Sequence, residues 1–298
     1  LVAYMEVIWV IENVLKTQEF YNRRRTSLLI ASIGLWKKYH PKHHTVLYCD
    51  SITFDLLNNL NVLHLWDEIR DLNYPDKIDR KTFWSTCKTK IISETKIPLL
   101  VVDHDFLIFK NIDEHLKNEV IYSYDEEDHG WYPTENDRYV LKLNNKISRK
   151  LDLAANVSLF YLPNPKFANE YGKQTLQNHI EFTKMGVTDT GYMILSEQLM
   201  LKENLVDQNI PYKTLCNGIF SNSGGSFVYE GKLEEKHWIK THEHGIWNYE
   251  EYSLYCKHYG VLEEVMDQKE LDYVFRCINA CKKVDIELLK EKVYELRS

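Results

Sequence analysis

No apolar run in this chain approaches the ~20 residues that cross a bilayer as a helix, which excludes a helical membrane span. The apolar N-terminal stretch Leu1 to Ile11 is short and carries Glu6, so it reads as a first strand rather than a signal peptide. Excess positive charge is also missing. A net charge of −7 argues against a general nucleic-acid or anionic-membrane binder, although an anionic nucleotide still fits a locally basic, metal-assisted cleft. Paired thiols are missing as well. Six cysteines, at 49, 87, 216, 256, 277 and 281, are scattered with no Cys-x-x-Cys spacing, and only Cys277 and Cys281 lie one helical turn apart. Scattered thiols in a long chain are expected buried and reduced, consistent with a soluble, cytoplasmic protein. There is no internal repeat and no low-complexity segment. Asn156-Val157-Ser158 fits a glycosylation sequon but lies in an apolar run, where no glycan is expected.

What is present suffices for a sizeable core: 298 residues, 44% of them hydrophobic, enough for one large α/β domain or two smaller ones. Met5 to Ile11 is β-branched and apolar, and reads as a central strand. A helix is expected over Ser27 to Tyr39, closed by Pro41. A second strand spans Thr45 to Cys49, a short helix Thr53 to Leu60, and a third strand Val62 to Trp66. Lys81 to Thr95 is expected helical. Strand–helix alternation at this pace predicts a parallel sheet covered by helices.

The densest signal is Leu99-Leu100-Val101-Val102-Asp103-His104-Asp105. A strand buried on both faces ends on two carboxylates one residue apart, and alternation sends Asp103 and Asp105 to the same side. Two such acids repel unless a cation or donor lies between them, and a hard divalent ion carrying phosphate oxygens is a natural occupant. Downstream, Glu119 to Tyr124 reads as a strand entering an acidic turn, Asp125 to Asp128. Trp131 to Arg149 is a polar loop, Leu153 to Leu162 a strand, and Pro163 to Gln177 leads into a helix. Ser196 is expected to cap a helix running to Asn204. Ser221 to Gly225 is rich in glycine and serine, and Phe227 to Tyr229 comes next as a short strand. The pattern from Tyr249 onward is helical.

This arrangement resembles the Asp-x-Asp motif of nucleotide-sugar glycosyltransferases of the GT-A fold, and the resemblance spans most of residues 5 to 245. It implies an α/β fold with a Rossmann-like, mixed and mostly parallel sheet flanked by helices. The implied domains are a GT-A domain over 1–248 (1–105 holding nucleotide, 106–248 facing acceptor) and a C-terminal helical extension over 249–298. The implied cofactor is Mn2+ or Mg2+, the donor a nucleotide sugar with UDP the commoner carrier, and the acceptor an oligosaccharide or glycoprotein.

Residue by residue, the resemblance makes Asp103 and Asp105 metal ligands, with Asp103 nearer ribose. It adds His237 or His242 from the cluster His237 to Gly245, where the spacing departs from the family's usual His-x-x-Gly-x-x-Lys, and Lys240 on the diphosphate. Glu12, Asn13 and Asp50 come just after the first strands, where base and ribose belong. Trp84 and Lys88 lie on the preceding helix with Lys90, the basic residue the family often places upstream, and Trp84 fits the core equally well. Asn156, in Ala155-Asn156-Val157, is the candidate for donor-sugar hydroxyls. Ser196-Glu197-Gln198 matches an acidic residue followed by Gln at a helix start, so Glu197 and Gln198 are expected at the sugar. A carboxylate to deprotonate the acceptor is sought at Glu197, Asp125 or Asp128. The rival readings are a haloacid-dehalogenase-like phosphatase, a sugar nucleotidyltransferase and a non-catalytic carbohydrate-binding protein. The first is weakened by Phe106-Leu107 after the acids and the second by the absence of glycine from Glu12 to Arg25.

Overall fold

The computed structural model describes residues 5–12, 29–30, 32–104, 106–108, 111–127, 133, 153–215, 218–221, 226–229, 232–233 and 254–255. These form two compact units. The first contains Asn73–Leu100 and His115–Glu235, and the second Met5–Leu72 with Val101–Glu114 and the short strand Leu254–Tyr255. The architecture is mixed α/β with helices flanking sheet, as the sequence predicts.

In the second unit, β1 (Glu6–Ile11), β2 (His44–Cys49) and β3 (Glu68–Asp71) pair in parallel in the order β1-β2-β3. β1 is apolar on both faces, with Val7, Ile8 and Trp9 fully buried. Helix α1 (32–39) packs its Trp36 edge-on against Trp9, whose indole N–H donates to Ser32 Oγ at 3.0 Å. Asp50 caps α2 (Ser51–Asn59), its Oδ1 accepting from the Thr53 amide at 2.8 Å. The third strand lies later than expected. Val62 to Trp66 contains a 3-10 turn, Leu63–Leu65, and the strand is the charged segment Glu68–Asp71. The Asp67 carboxylate accepts from both the amide and the hydroxyl of Thr45, pinning the entry to β3 beside β2.

The chain passes from the second unit's β3 into the first, where α3 (Thr86–Glu94) starts five residues later than expected and leads to β4 (Leu99–Val102). After β5 (Leu107–Ile108), the long strand β6 (Val120–Glu127) pairs antiparallel with β7 (Leu153–Leu162), and parallel with both β8 (Tyr212–Thr214) and β9 (Gly218–Ser221). β10 (Ser226–Tyr229) and β11 (Lys232–Leu233) continue from β9 as antiparallel neighbours. Asp125, Glu126 and Glu127 are therefore strand residues, not a turn. β12 (Leu254–Tyr255), in the stretch expected to be helical, is a short strand paired with β5.

Helix α4 (Pro165–Lys184) is set at both ends. Asn164 caps it with Pro165 at the first position, and Gly186, at φ 74°, ends it in a Schellman turn with Val187 N–H on the Phe182 carbonyl. α4 runs antiparallel to α3, touching it at His179–Thr86, Gly172–Ser93 and Asn169–Thr95. His179 and Gly172 are seven residues apart, as are Thr86 and Ser93, so each pair shares one stripe two turns long. Then α5 (Gly191–Ile194), a π-helical turn (Leu195–Leu199) and α6 (Met200–Asp207) run on without a break. Ser196 does not cap this helix. It lies inside the π turn and its hydroxyl donates to the Tyr192 carbonyl at 2.7 Å.

Cys49 and Cys87 are buried and free. Burial first, then the charges of Asp50 and Asp71, push the Cys49 thiol up to about 12, so it stays protonated and unreactive. Among the described residues no helix is long and apolar enough to cross a membrane.

Two histidines are built in neutral. His40 lies under Trp36, rings stacked 4.3 Å apart, with its Nε2 accepting from the Ile112 amide at 2.9 Å. Burial, then the neighbouring His43, lower its pKa to about 4 against the opposing pull of Asp113. Burial alone lowers that of His179 to about 3. The Thr86 hydroxyl hydrogen goes to the Phe83 carbonyl, so its oxygen accepts from His179 Nδ1 at 3.0 Å, which assigns the Nδ1–H tautomer. Both folded values lie below the unfolded ~6.5, so below that pH the unfolded chain binds protons that the folded chain refuses. Stability is fully present above pH ~6.5 and falls below it, at up to about 1.4 kcal/mol per pH unit for each histidine, until the folded values are reached. Urea midpoints measured from pH 7.5 to 4.5 should drop steeply below 6.5, and less steeply in His179→Leu. A variant as steep as the wild type would remove His179 from the explanation.

Candidate functional site

Asp103 is the first residue past β4. Leu99 to Val102 are buried throughout, the carboxylate-bearing residue is half-buried, and the Asp103 carbonyl accepts from the Phe106 amide at 3.0 Å. Asp105, Asn13, Asp128, His237, Lys240 and His242 lie outside the described residues, as do the polar loop 131–149 and the glycine-rich stretch 222–225, apart from Pro133. Glu12 is buried directly after β1, and Asp50 holds the α2 cap. Among the described residues one trio has metal-ligating spacing, Glu6, His44 and Glu68. The Arg70 guanidinium already takes both carboxylates there, at 2.7 Å to each, and donates to the Tyr48 hydroxyl at 2.6 Å. That trio is an ion-pair network, not a vacant ligand set.

The first unit holds a second group of predicted residues and brings two of them together. Lys88 Nζ lies 2.6 Å from Glu197 Oε1, and both side chains are buried. Lys88 projects from the first turns of α3, also 5.9 Å from the Phe160 ring centroid, while Glu197 is the middle residue of the π turn. A buried ion pair is costly unless both charges are satisfied, and such pairs recur where a charge has a task. The Tyr171 hydroxyl donates to the Glu197 carbonyl at 2.8 Å, and burial followed by the Glu197 charge holds that phenol well above its usual range. Gln198 is half-buried beside it in the same turn. Trp84 is partly buried against the core of Phe83, Phe182, Met193 and Leu199. Lys90 reaches Glu94 one turn on, at 2.7 Å.

Asn156 and Asp125 each have close partners within the same unit. Asn156, on β7, donates to Glu126 Oε2 at 3.0 Å and accepts from the Ser158 amide at 3.1 Å. Asp125 accepts from the Tyr122 hydroxyl and from Lys202 Nζ, each at 2.7 Å. Lys202 also donates to the Tyr122 oxygen at 2.5 Å and lies 4.4 Å from the Tyr212 ring centroid, a cation held by one carboxylate and two aromatic faces. Burial, then the Asp125 charge, push the Tyr122 phenol far up.

Sequence reasoning missed Lys202, Tyr122, Glu126 and Tyr171. Lys202 had a signal, since it comes directly after Leu199-Met200-Leu201 and a lysine closing an apolar helical run needs a buried partner. Tyr171 had none, because its hydroxyl serves a carbonyl 26 residues away.

No family model matches the chain. No curated protein matches it. Among solved structures it is similar to the galactosyltransferase LgtC in complex with donor and acceptor sugar analogues, at 14% identity over 65% of this chain and 71% of that one, with a TM-score of 0.38. A likeness of that depth carries no argument about donor, acceptor or metal, and the functional reading rests on this chain's own residues.

Proposed function

We propose that the chain is a metal-dependent glycosyltransferase of GT-A type, moving a sugar from a nucleotide-sugar donor, with UDP-sugars the first choice, to a hydroxyl of a glycan or glycoprotein. The observation that carries this reading is the end of β4: a strand buried along its whole length stops at Val102 and the next residue is Asp103, the context that an Asp-x-Asp metal motif requires. Two carboxylates form a hard oxygen donor set suited to Mn2+ or Mg2+, and a histidine added to them favours Mn2+. Asp103 and Asp105 would hold that ion, with His237 or His242. Bound there, a divalent cation offsets the charge that develops on a diphosphate leaving group.

The remaining roles belong to side chains. Glu12, Asn13, Asp50, Trp84 and Lys90 are the proposed surroundings of base and ribose, Lys240 of the diphosphate, and Asn156 and Gln198 of the sugar. Of the three candidate acceptor-side carboxylates, Asp125 is engaged by Lys202 and Tyr122. Glu197 is engaged by Lys88. A carboxylate bonded to an ammonium is a strong acceptor for hydroxyl groups rather than a seat for their protons. We therefore assign Glu197, with Lys88 behind it, to orienting a sugar hydroxyl. We propose Asp128, which lies outside the described residues, for general-base work if the reaction inverts.

A panel of nucleotide sugars incubated with Mn2+ tests the reading, since slow release of nucleoside diphosphate is the expected hydrolytic side reaction. Inorganic phosphate released instead would identify a phosphatase, and binding without turnover a carbohydrate-binding protein. In calorimetry with Mn2+, Asp105→Ala should weaken nucleotide binding by at least about tenfold, or 1.4 kcal/mol, with the fold intact. Nucleotide binding that is unchanged in the variant and indifferent to metal would end the assignment.

A further inference from the structure

The π turn that carries Glu197 is held from outside. Within it the Met200 amide is shared between the Glu197 carbonyl and the Leu195 carbonyl five residues back, so the Ser196 carbonyl loses the donor that a regular α-helix would give it. Helix α4 supplies the replacement. Thr175 Oγ1 lies 3.0 Å from the Ser196 carbonyl, sharing its hydrogen with the Tyr171 carbonyl at 3.1 Å, and the Tyr171 hydroxyl donates to the Glu197 carbonyl at 2.8 Å. Tyr171 and Thr175 are four residues apart and so face the same way. They meet two successive carbonyls of the turn. Every group involved is buried, with Thr175 and Ser196 at 0% exposure and Glu197 at 3%. The Ser196 hydroxyl does not compete, because it is spent on the Tyr192 carbonyl.

The extra residue in a π turn rotates the rest of the helix by about 100° relative to an unbroken one. The direction of the Glu197 carboxylate, 2.6 Å from Lys88, thus depends on the turn staying wide. We propose that the Tyr171 and Thr175 hydroxyls are positioning groups for Glu197: they hold the widened turn open and thereby aim its carboxylate at Lys88 and at the sugar. The second half of that statement rests on the glycosyltransferase reading. The first half does not.

The test uses the full chain and the variants Tyr171→Phe, Thr175→Val, Thr175→Ser and Glu197→Gln. In ligand-free protein, hydrogen exchange at amides 195–200 should quicken about tenfold in Tyr171→Phe and Thr175→Val, and should match wild type in Thr175→Ser, which keeps the hydroxyl. With UDP-galactose or UDP-glucose and Mn2+, Tyr171→Phe should lower kcat for UDP release about tenfold with the donor KM within about twofold, and should lower it no further in a Glu197→Gln background. Unchanged exchange at 195–200 in Tyr171→Phe overturns the proposal. So does an equal fall in kcat with and without the Glu197 carboxylate, since the effect would then bypass it. Wild-type protein that releases no UDP defeats the transferase reading, and the exchange experiment still decides whether the two hydroxyls hold the turn.

Discussion

Lys88→Ala is expected to destabilise the protein by about 3–5 kcal/mol, because it takes from the buried Glu197 carboxylate the cation that balances it. The loss should be read from urea midpoints at constant m-value, and it should be larger at pH 8 than at pH 5. At the lower pH a carboxylate that has lost its lysine can take up a proton and become neutral, so less free energy is forfeited. The pair itself need not stabilise the fold. Replacing both members with apolar residues of similar size, Lys88→Met with Glu197→Leu, should restore most of the lost stability. Donor turnover should remain well below wild type in that double variant although stability returns, which separates a functional charge from a structural one. A double variant as unstable as Lys88→Ala would show that the cost came from lost packing, not from an orphaned charge.

Gly172→Ala is the second large effect. A Cβ placed on Gly172 would lie 2.5 Å from the Ser93 nitrogen and 2.8 Å from its Cα, both backbone atoms that cannot swing aside. Alanine gains about 1 kcal/mol over glycine in a helix interior, while overpacking of a close crossing costs about 1–3 kcal/mol and more when backbone must move. The steric term wins, and a net loss of about 2 kcal/mol is expected. Because α3 carries Lys88 and α4 carries Tyr171 and Thr175, separating them also disturbs the Glu197 pairing, so donor turnover should fall further than stability alone explains. An unchanged urea midpoint would mean that the two helices part freely, and the crossing would lose its role in setting the site.

Some of this is legible in the chain. β7 matches its predicted span, Leu153–Leu162, and β4 stops at the acid expected at its end: β4 is an uninterrupted apolar run, and β7 is apolar but for Asn156 and Ser158 and ends just before Pro163. β3 is not legible. Its residues Glu-Ile-Arg-Asp carry no strand pattern of their own, and the apolar Val62 to Trp66 draws the assignment instead. What makes 68–71 a strand is pairing with β2 and the charges that meet Arg70, neither of which is local. Ser196 looks like a cap ahead of Glu197, a local signature that a longer helix overrides once α4 supplies hydroxyls to the carbonyls of a π turn. Asp125 to Glu127 looks like an acidic turn, yet strand geometry is tolerated where Lys202 meets the Asp125 carboxylate and Asn156 that of Glu126. In the candidate site, Lys88 and Glu197 each stand out in the sequence, but their pairing joins residues more than a hundred positions apart and has no local trace.

The charged strand that sequence reading overlooks has a consequence for self-association. Among the described residues β3 pairs with β2 alone, so its other side is a sheet edge with backbone donors and acceptors on offer. Such an edge is a template on which another chain can add a strand. β3 is only four residues long and three of them, Glu68, Arg70 and Asp71, are charged, with Arg70 fastened to Glu6 and Glu68. A second strand arriving there would have to strip water from those charges for at most a few hydrogen bonds. Edge-to-edge growth is therefore blocked at the place where this sheet would otherwise invite it, and crowding the protein should not seed fibrils from β3.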